Sequence, residues 1–262
     1  MTLDFLHTGA AKAASTWLYQ ACLEHPEVYV PPNNDNVNFF LVHYHRGLDW
    51  FRTEYFADRK SEEVGGEFSN SYMLSDVALR RIELDLPDVR LSCLLRNPIE
   101  RAYLHWAHAY YKSGRPQAHP ETDSGSPLDI MPDRPTGRLF QIPLEVVQHP
   151  NGWAWCRAWL EPGLYASHLR RIRERFPGEH LYVMLYDDIR ADPEGFLSGY
   201  YEFLGVDSSF RPACLYRDIN PDTPETDPSK MPEELRDYLR AFFREDIGEL
   251  EEMIGRDLST WR

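Results

Sequence analysis

The stretch FLHTGAAKAASTWLYQ, residues 5–20, decides the fold of this chain. It starts with a short, largely apolar run that ends at Gly9, passes through a turn of small residues around Lys12, and continues as a helix. A strand, a small-residue turn and a helix N-terminus in this order are the layout of a phosphate-binding loop. The paired glycines and the Gly-Lys-Ser/Thr of nucleoside-triphosphate loops are absent, so the loop sequence alone does not identify the anion that it holds.

Every residue type in the loop suits an anion. Lys12 supplies a mobile cation, and Ser15 and Thr16 place hydroxyls and amides at a helix N-terminus, where the dipole favours negative charge. Small side chains let the backbone approach a ligand closely at Gly9, Ala10, Ala11, Ala13 and Ala14. The alternative is a tight turn with a capping serine and a solvent-exposed lysine.

The composition and net charge limit the classes of function that are expected of this chain. The 262 residues carry a net charge of −14, which disfavours nucleic acid, anionic membranes and large polyanionic substrates as partners of the whole surface. No run of about 18 apolar residues occurs, and the N-terminus has no signal-peptide pattern, so we expect a cytoplasmic protein without a membrane span. Four cysteines lie far apart, and their spacing predicts free thiols and no metal site.

Strand and helix patterns alternate along the chain. Strands are expected at 4–9, 62–69, 89–98 and 180–189, and helices at 15–25, 48–57, 75–87, 99–114, 162–178, 192–206 and 232–255. This alternation predicts an α/β fold of the P-loop-like type, with three layers and a central, mainly parallel sheet flanked by helices. We expect one domain over residues 1–262, with a substrate-covering surface loop at 115–150.

A second segment, LLRNPIERAYLHWAH (94–108), places Arg96 at the carboxyl end of a predicted strand, where ligands bind in such sheets. Arg101, His105, His108 and Lys112 follow at helical spacing and share one face of the next helix. A solvated basic helix face is the alternative interpretation of these four residues.

These segments together carry a family resemblance. GAAKAASTWLYQACLEHPEVYVPP (9–32), NFF (38–40), VGGEFSNSYM (64–73) and LLRNPIERAYLHWAH resemble the sulfotransferases that use 3′-phosphoadenosine 5′-phosphosulfate (PAPS). The bacterial and heparan-sulfate-modifying members are the most similar subgroup. The C-terminal half agrees in the order of its motifs, so the resemblance covers nearly the whole chain outside 115–150.

The resemblance implies roles for individual residues in donor binding. Lys12 matches the lysine that contacts the phosphate oxygen bridging to sulfur, and Ser15 and Thr16 match the hydroxyl pair on the same phosphate. Trp17 matches an aromatic residue that packs against adenine, although a core tryptophan is an equal alternative. Arg96 matches the arginine that binds the 3′-phosphate.

Two positions depart from the family pattern. The family places a 3′-phosphate-binding serine where this chain has Leu104, so Arg101 or His105 is a candidate substitute. Heparan-type members carry a Lys-Glu pair whose glutamate can act as the base, and here Asp35 and Asn36 occupy those positions.

The proton acceptor therefore has three candidates. His108 is the first choice because it matches a histidine near the acceptor and has a suitable unperturbed pKa, although a surface histidine is the alternative. Glu67, at the end of the VGGE strand, is the second candidate and Asp35 the third. His7 on the first strand is expected to be structural.

The resemblance implies metal-free, in-line transfer of a sulfuryl group from PAPS to a hydroxyl, or less favourably an amine, with adenosine 3′,5′-bisphosphate as product. A small neutral or apolar acceptor, such as a metabolite, glycan or lipid, is expected from the acidic composition and from aromatic residues that equally suit a core. Acceptor contacts are expected at Asp35, Asn36, Phe39 and Phe40, with Tyr44, Trp106 and Tyr110 as further aromatic candidates. The alternatives are a catalytically impaired nucleotide-binding protein and a P-loop nucleotide kinase. The kinase is disfavoured because the loop lacks the Gly-Lys-Ser/Thr sequence.

Overall fold

The structure, a computed structural model, describes residues 3–32, 35–108, 159–217 and 227–262. Its five strands form one parallel sheet in the order β2-β3-β1-β4-β5. The strands are β1 (Phe5–His7), β2 (Val28–Tyr29), β3 (Val64–Phe68), β4 (Arg90–Leu95) and β5 (Leu181–Leu185). The predicted parallel α/β fold is therefore confirmed.

The helices of the described residues follow the predicted alternation with the strands. They are α1 (Ser15–Glu24), α2 (Gly47–Tyr55), α3 (Asp76–Asp85), α4 (Pro98–Ala107), α5 (Tyr165–Arg173), α6 (Tyr186–Ala191), α7 (Pro193–Leu204) and α8 (Glu233–Ile254), with short helical turns in the connections. Among the helices in these ranges, none is both long and apolar enough to cross a membrane.

The contacts of the chain define two compact units. The first comprises residues 1–95 and 170–221 and contains the sheet, and the second comprises residues 96–169 and 222–262 and contains α4, α5's first residues and α8. The single domain expected over 1–262 stays a prediction. The loop expected at 115–150, together with Tyr110 and Lys112, lies outside the described residues.

The centre of the sheet is β1, which is only three residues long but wholly buried. Its Phe5 pairs with Gly66 of β3, and a Cβ on Gly66 would lie 2.2 Å from the Phe5 ring. Glycine at position 66 therefore makes room for the aromatic ring, which also packs edge-on against Phe68 and Tyr200.

Local signals set several helix ends. Ser75 caps α3 by accepting from Ala78 N, and Asn97 caps α4 ahead of Pro98 by accepting from Ile99 N. α7 and α8 end at glycines in the left-handed conformation, Gly205 and Gly255.

The boundary predicted for the last strand was wrong. The strand expected at 180–189 ends at Leu185, because residues Tyr186–Ala191 form α6, whose first turn carries Asp187 and Asp188 at the favourable end of the helix dipole. Residues Phe39–His43 form a short π-helical turn after Asn38, which has φ 53°.

Within the second unit, α8 supplies the acceptor for the first amides of α5. Asp246 is 8% exposed, and one of its carboxylate oxygens accepts from Ala166 N at 3.2 Å. Burial raises the pKa of Asp246 to about 6, while hydrogen bonds from the Ala166, Ser167 and Tyr165 amides oppose the rise.

We predict that this carboxyl makes stability depend on pH in mildly acidic solution. Because the pKa of Asp246 is higher in the folded chain than its usual 3.8, the folded state holds an extra proton between pH 4 and 6. The unfolding free energy should thus fall as pH rises through that window, by no more than about 3 kcal/mol. Asp246→Asn should lack this fall in denaturant titrations at pH 4.5, 5.5 and 6.5. Parallel pH profiles for the two proteins would contradict the assignment.

Candidate functional site

The loop between β1 and α1 starts from a position fixed by β4. Thr8 N donates to Ser92 O at 2.8 Å, which extends the parallel pairing beyond the end of β1. Ala10 N donates to Leu94 O at 2.9 Å, and Leu94 N donates to Gly9 O at 2.7 Å. The first residues of the loop are therefore as firmly held as a sheet strand.

Gly9 occupies a position that only glycine fits. Its φ is +140°, outside the range of ordinary L-residues, and a Cβ there would lie 2.6 Å from Met73 Sδ and 2.9 Å from Asn70 O. The chain after β3 thus approaches the start of the loop so closely that residue 9 can have no side chain.

Further along the loop, alanine and lysine adopt conformations in which glycine is usual. Lys12 has φ 67° and Ala14 has φ 71°, each left-handed at a cost of roughly 1–2 kcal/mol. Backbone strain of this kind is concentrated at ligand sites, and turns that mix right- and left-handed residues form concave amide surfaces for anions. The loop therefore follows a sharp, glycine-like path between β1 and α1, with the remaining alanines buried at positions 10, 11 and 13.

The N-terminus of α1 carries no negative side chain of its own. Ala14 is the N-cap residue, and Ser15 is in the first turn, one of the two positions expected for it; Ala14 makes no side-chain cap hydrogen bond, and the first turn has no acidic residue. Ser15 and Thr16 are the first two helical residues, and the first amides of a helix lack intrahelical acceptors. This end of α1 is consequently suited to an anionic ligand.

Trp17 packs inside the first unit. It is 7% exposed, its Nε1 donates to Cys214 O at 3.2 Å, and its ring centroid lies 5.9 Å from that of Phe196. Packing of Trp17 against an adenine stays a prediction, and these contacts show what holds the indole.

The segment that follows β2 places Asp35 and Asn36 near the loop. Thr16 Oγ1 donates to Asp35 Oδ2 at 3.5 Å, a long contact that joins the segment to the first turn of α1. Asn36 Oδ1 accepts from both the backbone and the side-chain amide of Asn70, at 3.2 and 3.3 Å. The first unit thus brings two predicted acceptor residues beside the predicted donor loop.

Phe39 and Phe40, expected to contact an acceptor, have no exposed surface and belong to the core. The Phe39 ring stacks on that of Phe51 with centroids 4.2 Å apart, and the Phe40 ring lies edge-on to that of Tyr72. Their apolar surface is satisfied by α2 and by the turn after β3, so a direct acceptor contact is not supported.

Glu67, expected to be a candidate base, is also wholly buried. Its carboxylate accepts from the hydroxyls of Ser69 and Tyr72, the latter at 2.8 and 3.0 Å to the two oxygens, and the amides of Asn38 and Phe39 lie near it. Burial raises the pKa of Glu67 to about 7, although all four donors act in the opposite direction. A carboxylate enclosed in this way has no open face for an acceptor hydroxyl.

His7 is buried as expected of a structural residue. Its Nδ1 lies 3.1 Å from Ser92 Oγ and its ring packs on Phe68 at 4.8 Å. Burial lowers the pKa of His7 to about 3, which keeps the imidazole neutral.

In the second unit, Arg96 is engaged by an acidic residue one helical turn away. Its Nε and Nη2 donate to Glu100 Oε2 at 3.0 and 2.8 Å, and its backbone oxygen accepts from Tyr165 OH at 2.9 Å. A phosphate at Arg96 would compete with Glu100 for the guanidinium.

The face of α4 that sequence spacing assigned to basic residues is buried and not solvated. Arg101 and His105 are 0% and 2% exposed; Arg101 Nη1 lies 3.3 Å from His105 Nδ1, and Nη2 donates to Trp159 O. Leu104 is also buried, whereas His108, just after the helix, is partly exposed. Among the described residues expected on this face, His108 therefore has the most access to solvent.

Sequence reasoning missed Ser69 and Tyr72, which complete the surroundings of Glu67. Polar residues directly after a buried strand, at the carboxyl edge of a parallel sheet, are the signal that could have indicated them. In the part of the chain that the structure describes, no three His, Cys, Asp or Glu side chains group as metal ligands would.

Comparison with known proteins identifies the family of this chain. The family model described as "Sulfotransferase domain" matches residues 3–240. The crystal structure of a sulfotransferase from Alicyclobacillus acidocaldarius has a TM-score of 0.75 and 25% identity, covering 100% of this chain and 99% of that one.

Curated relatives agree with this match. Bifunctional heparan sulfate N-deacetylase/N-sulfotransferase 1 of Mus musculus is 26% identical over 97% of this chain, and the chain spans only 30% of that protein. Heparan sulfate glucosamine 3-O-sulfotransferase 6 of Mus musculus is 24% identical, over 96% of this chain and 72% of the relative. The match over residues 3–240, together with the parallel sheet and the loop after β1, shows that this chain belongs to the sulfotransferase family.

Proposed function

We propose that this enzyme transfers a sulfuryl group from PAPS to a hydroxyl or amino group of an acceptor. The observation that carries the proposal is the β1–α1 loop, in which left-handed backbone at Lys12 and Ala14 leads into a helix N-terminus without acidic side chains. PAPS supplies an activated sulfuryl group on its 5′-phosphate and a second anionic group at its 3′ position. The loop's amides, hydroxyls and lysine match the first of these groups in charge and in hydrogen-bond donors.

Lys12 is proposed to stabilise the leaving phosphate. When the acceptor oxygen or nitrogen attacks sulfur in line, the bond from sulfur to the bridging phosphate oxygen breaks, and its electron pair stays on that oxygen. A cation beside that oxygen lowers the free energy of the transition state more than that of the ground state. Ser15 and Thr16 would orient the same phosphate by hydrogen bonds, in a transfer that we propose proceeds without a metal ion.

Arg96 is proposed to bind the 3′-phosphate, since a guanidinium fork suits phosphate geometry. Before a ligand binds, the ion pair with Glu100 holds the side chain of Arg96. Leu104 offers no hydrogen bond, so we propose that Arg96 carries more of the 3′-phosphate affinity here than in members with a serine at that position.

The acceptor's proton is proposed to pass to His108, which is partly exposed, and otherwise to Asp35, which lies beside Thr16. For the acceptor we propose a sugar hydroxyl or amine, because the relatives' names include both N- and 3-O-sulfotransferases of heparan sulfate. The small neutral acceptor expected from the net charge of −14 is the competing proposal.

A second candidate function is nucleotide binding without turnover. It is favoured by Leu104 at the serine position and by Asn36, which cannot accept a proton, at the glutamate position. The two candidates differ in turnover, not in donor binding.

Donor binding can be tested by titration calorimetry with adenosine 3′,5′-bisphosphate. We expect the wild type to bind, and Lys12→Ala and Arg96→Ala each to lose about tenfold or more in affinity, since each removes a charge-assisted phosphate contact. Lys60→Ala and Arg52→Ala, which remove cations from the local ion pairs with Glu63 and Asp49, are the matched controls and should bind normally. A wild type that does not bind the nucleotide would overturn the proposed function.

The base can be tested by transfer from sulfur-labelled PAPS to three probes: a glucosamine oligosaccharide, its N-acetylated form and 2-naphthol. His108→Ala should lower kcat by about a hundredfold or more with nucleotide affinity retained, because general-base catalysis contributes that much. His45→Ala, at an exposed histidine, is the control. Unchanged turnover in His108→Ala, with loss in Asp35→Asn, would move the role to Asp35; binding without turnover of any probe would favour the second candidate function.

A further inference from the structure

We infer that Glu67 is a positioning residue: with Ser69 and Tyr72 it fixes the backbone of residues 38–40 and thereby holds Asp35 and Asn36 beside the β1–α1 loop. The inference rests on the proposed function, because those two residues matter only if this edge of the loop receives the acceptor. It gives Glu67 a role different from that of a base.

The first support is the hydrogen-bond pattern around the carboxylate. The amides of Asn38 and Phe39 lower the pKa of Glu67, so the carboxylate faces the N-terminus of the π-helical turn Phe39–His43. That turn has no side-chain cap and no acidic residue of its own. The carboxylate from β3 therefore supplies the negative group that a helical N-terminus favours.

Two hydroxyls connect Glu67 to the backbone amides of the turn. Ser69 Oγ accepts from Asn38 N at 2.8 Å and donates to Glu67. Tyr72 OH accepts from Phe40 N at 3.2 Å and donates to Glu67. Each hydroxyl is thus oriented by the carboxylate so that its lone pairs face the backbone of the turn.

The turn needs such support because it begins with strained backbone. Asn38 is left-handed, with φ 53° and ψ 34°, and its side-chain oxygen accepts from Ser71 Oγ at 2.6 Å. On the other side, Arg81 donates to Phe40 O at 2.7 Å and lies over the ring of Tyr44. The backbone of residues 38–40 is therefore held from β3, from the turn after it and from α3.

Asp35 and Asn36 immediately precede this fixed backbone. Asn36 is held by both amides of Asn70, in the same turn after β3 that carries Ser69 and Tyr72, and Asp35 touches Thr16. Because Glu67 is fully buried and already accepts from the Ser69 and Tyr72 hydroxyls, it can affect an acceptor only through these neighbours.

Hydrogen exchange tests the inference without an acceptor. Peptides covering residues 36–42 should exchange about tenfold faster in Glu67→Leu and Tyr72→Phe than in the wild type, because the turn loses one or more charge-assisted bonds. Glu67→Gln, which keeps one acceptor oxygen, should be intermediate. Ser92→Ala is the matched control: it removes an equally buried hydroxyl of the first unit and should leave this peptide unchanged.

Kinetics separates positioning from proton transfer. With whichever probe acceptor the wild type sulfates, Glu67→Gln should raise the acceptor KM about tenfold and leave kcat within about threefold, with Glu67→Leu more severe. A base would give the opposite result, with kcat lost equally in both variants and exchange unchanged. Ser69→Ala and Tyr72→Phe should change the same parameter as Glu67→Gln, and they decide the question if the Glu67 variants fail to fold.

The outcomes distinguish this inference from the proposed function. A wild type that binds no adenosine 3′,5′-bisphosphate contradicts the proposed function, whatever the exchange shows. Normal nucleotide binding with wild-type exchange at residues 36–42 in every Glu67, Ser69 and Tyr72 variant overturns the positioning role alone. Faster exchange in that peptide together with a raised acceptor KM supports both.

Discussion

The site in the first unit depends on the continuation of parallel pairing past the end of β1. Hydrogen bonds from Thr8 to Ser92 and between Gly9, Ala10 and Leu94 carry sheet geometry into the loop, so that the chain leaves β1 along a fixed direction. The same contact brings the turn after β3 against Gly9, where any side chain would collide with Met73. Both the β1–α1 loop and the segment around Asn36 are thereby held in place by the same part of the sheet.

In the described part of the first unit, three residues other than glycine have strained, left-handed backbone. Lys12, Ala14 and Asn38 adopt left-handed backbone that costs free energy. At Asn38 the backbone amide donates to Ser69 Oγ, which donates in turn to the buried Glu67 carboxylate, and the side-chain oxygen accepts from Ser71 Oγ. A fully satisfied polar cluster of this kind specifies one conformation, which an apolar core of the same volume would not do.

The sequence patterns predicted the parallel sheet and the family correctly because both depend on features repeated along the chain. Apolar periodicity marks β4 and α4, and the motif order marks the family. The burial of four candidate residues could not be predicted in the same way. Phe39, Phe40, Arg101 and His105 were assigned to ligand or surface roles by residue type, yet periodicity alone does not reveal that neighbouring segments bury them.

The sequence by itself determined the strand–loop–helix layout of residues 5–20, the position of Lys12 ahead of the hydroxyl pair, and membership of the sulfotransferase family, because these are properties of adjacent residues and of motif order. Only the tertiary structure decided that Lys12 and Ala14 are left-handed, that Glu67 is enclosed by donors, and that Asn36 is held by Asn70. The physical reason is that hydrogen-bond partners and burial come from segments tens of residues apart. Sheet register determines which of these segments come into contact, and no pattern within a single segment encodes that register.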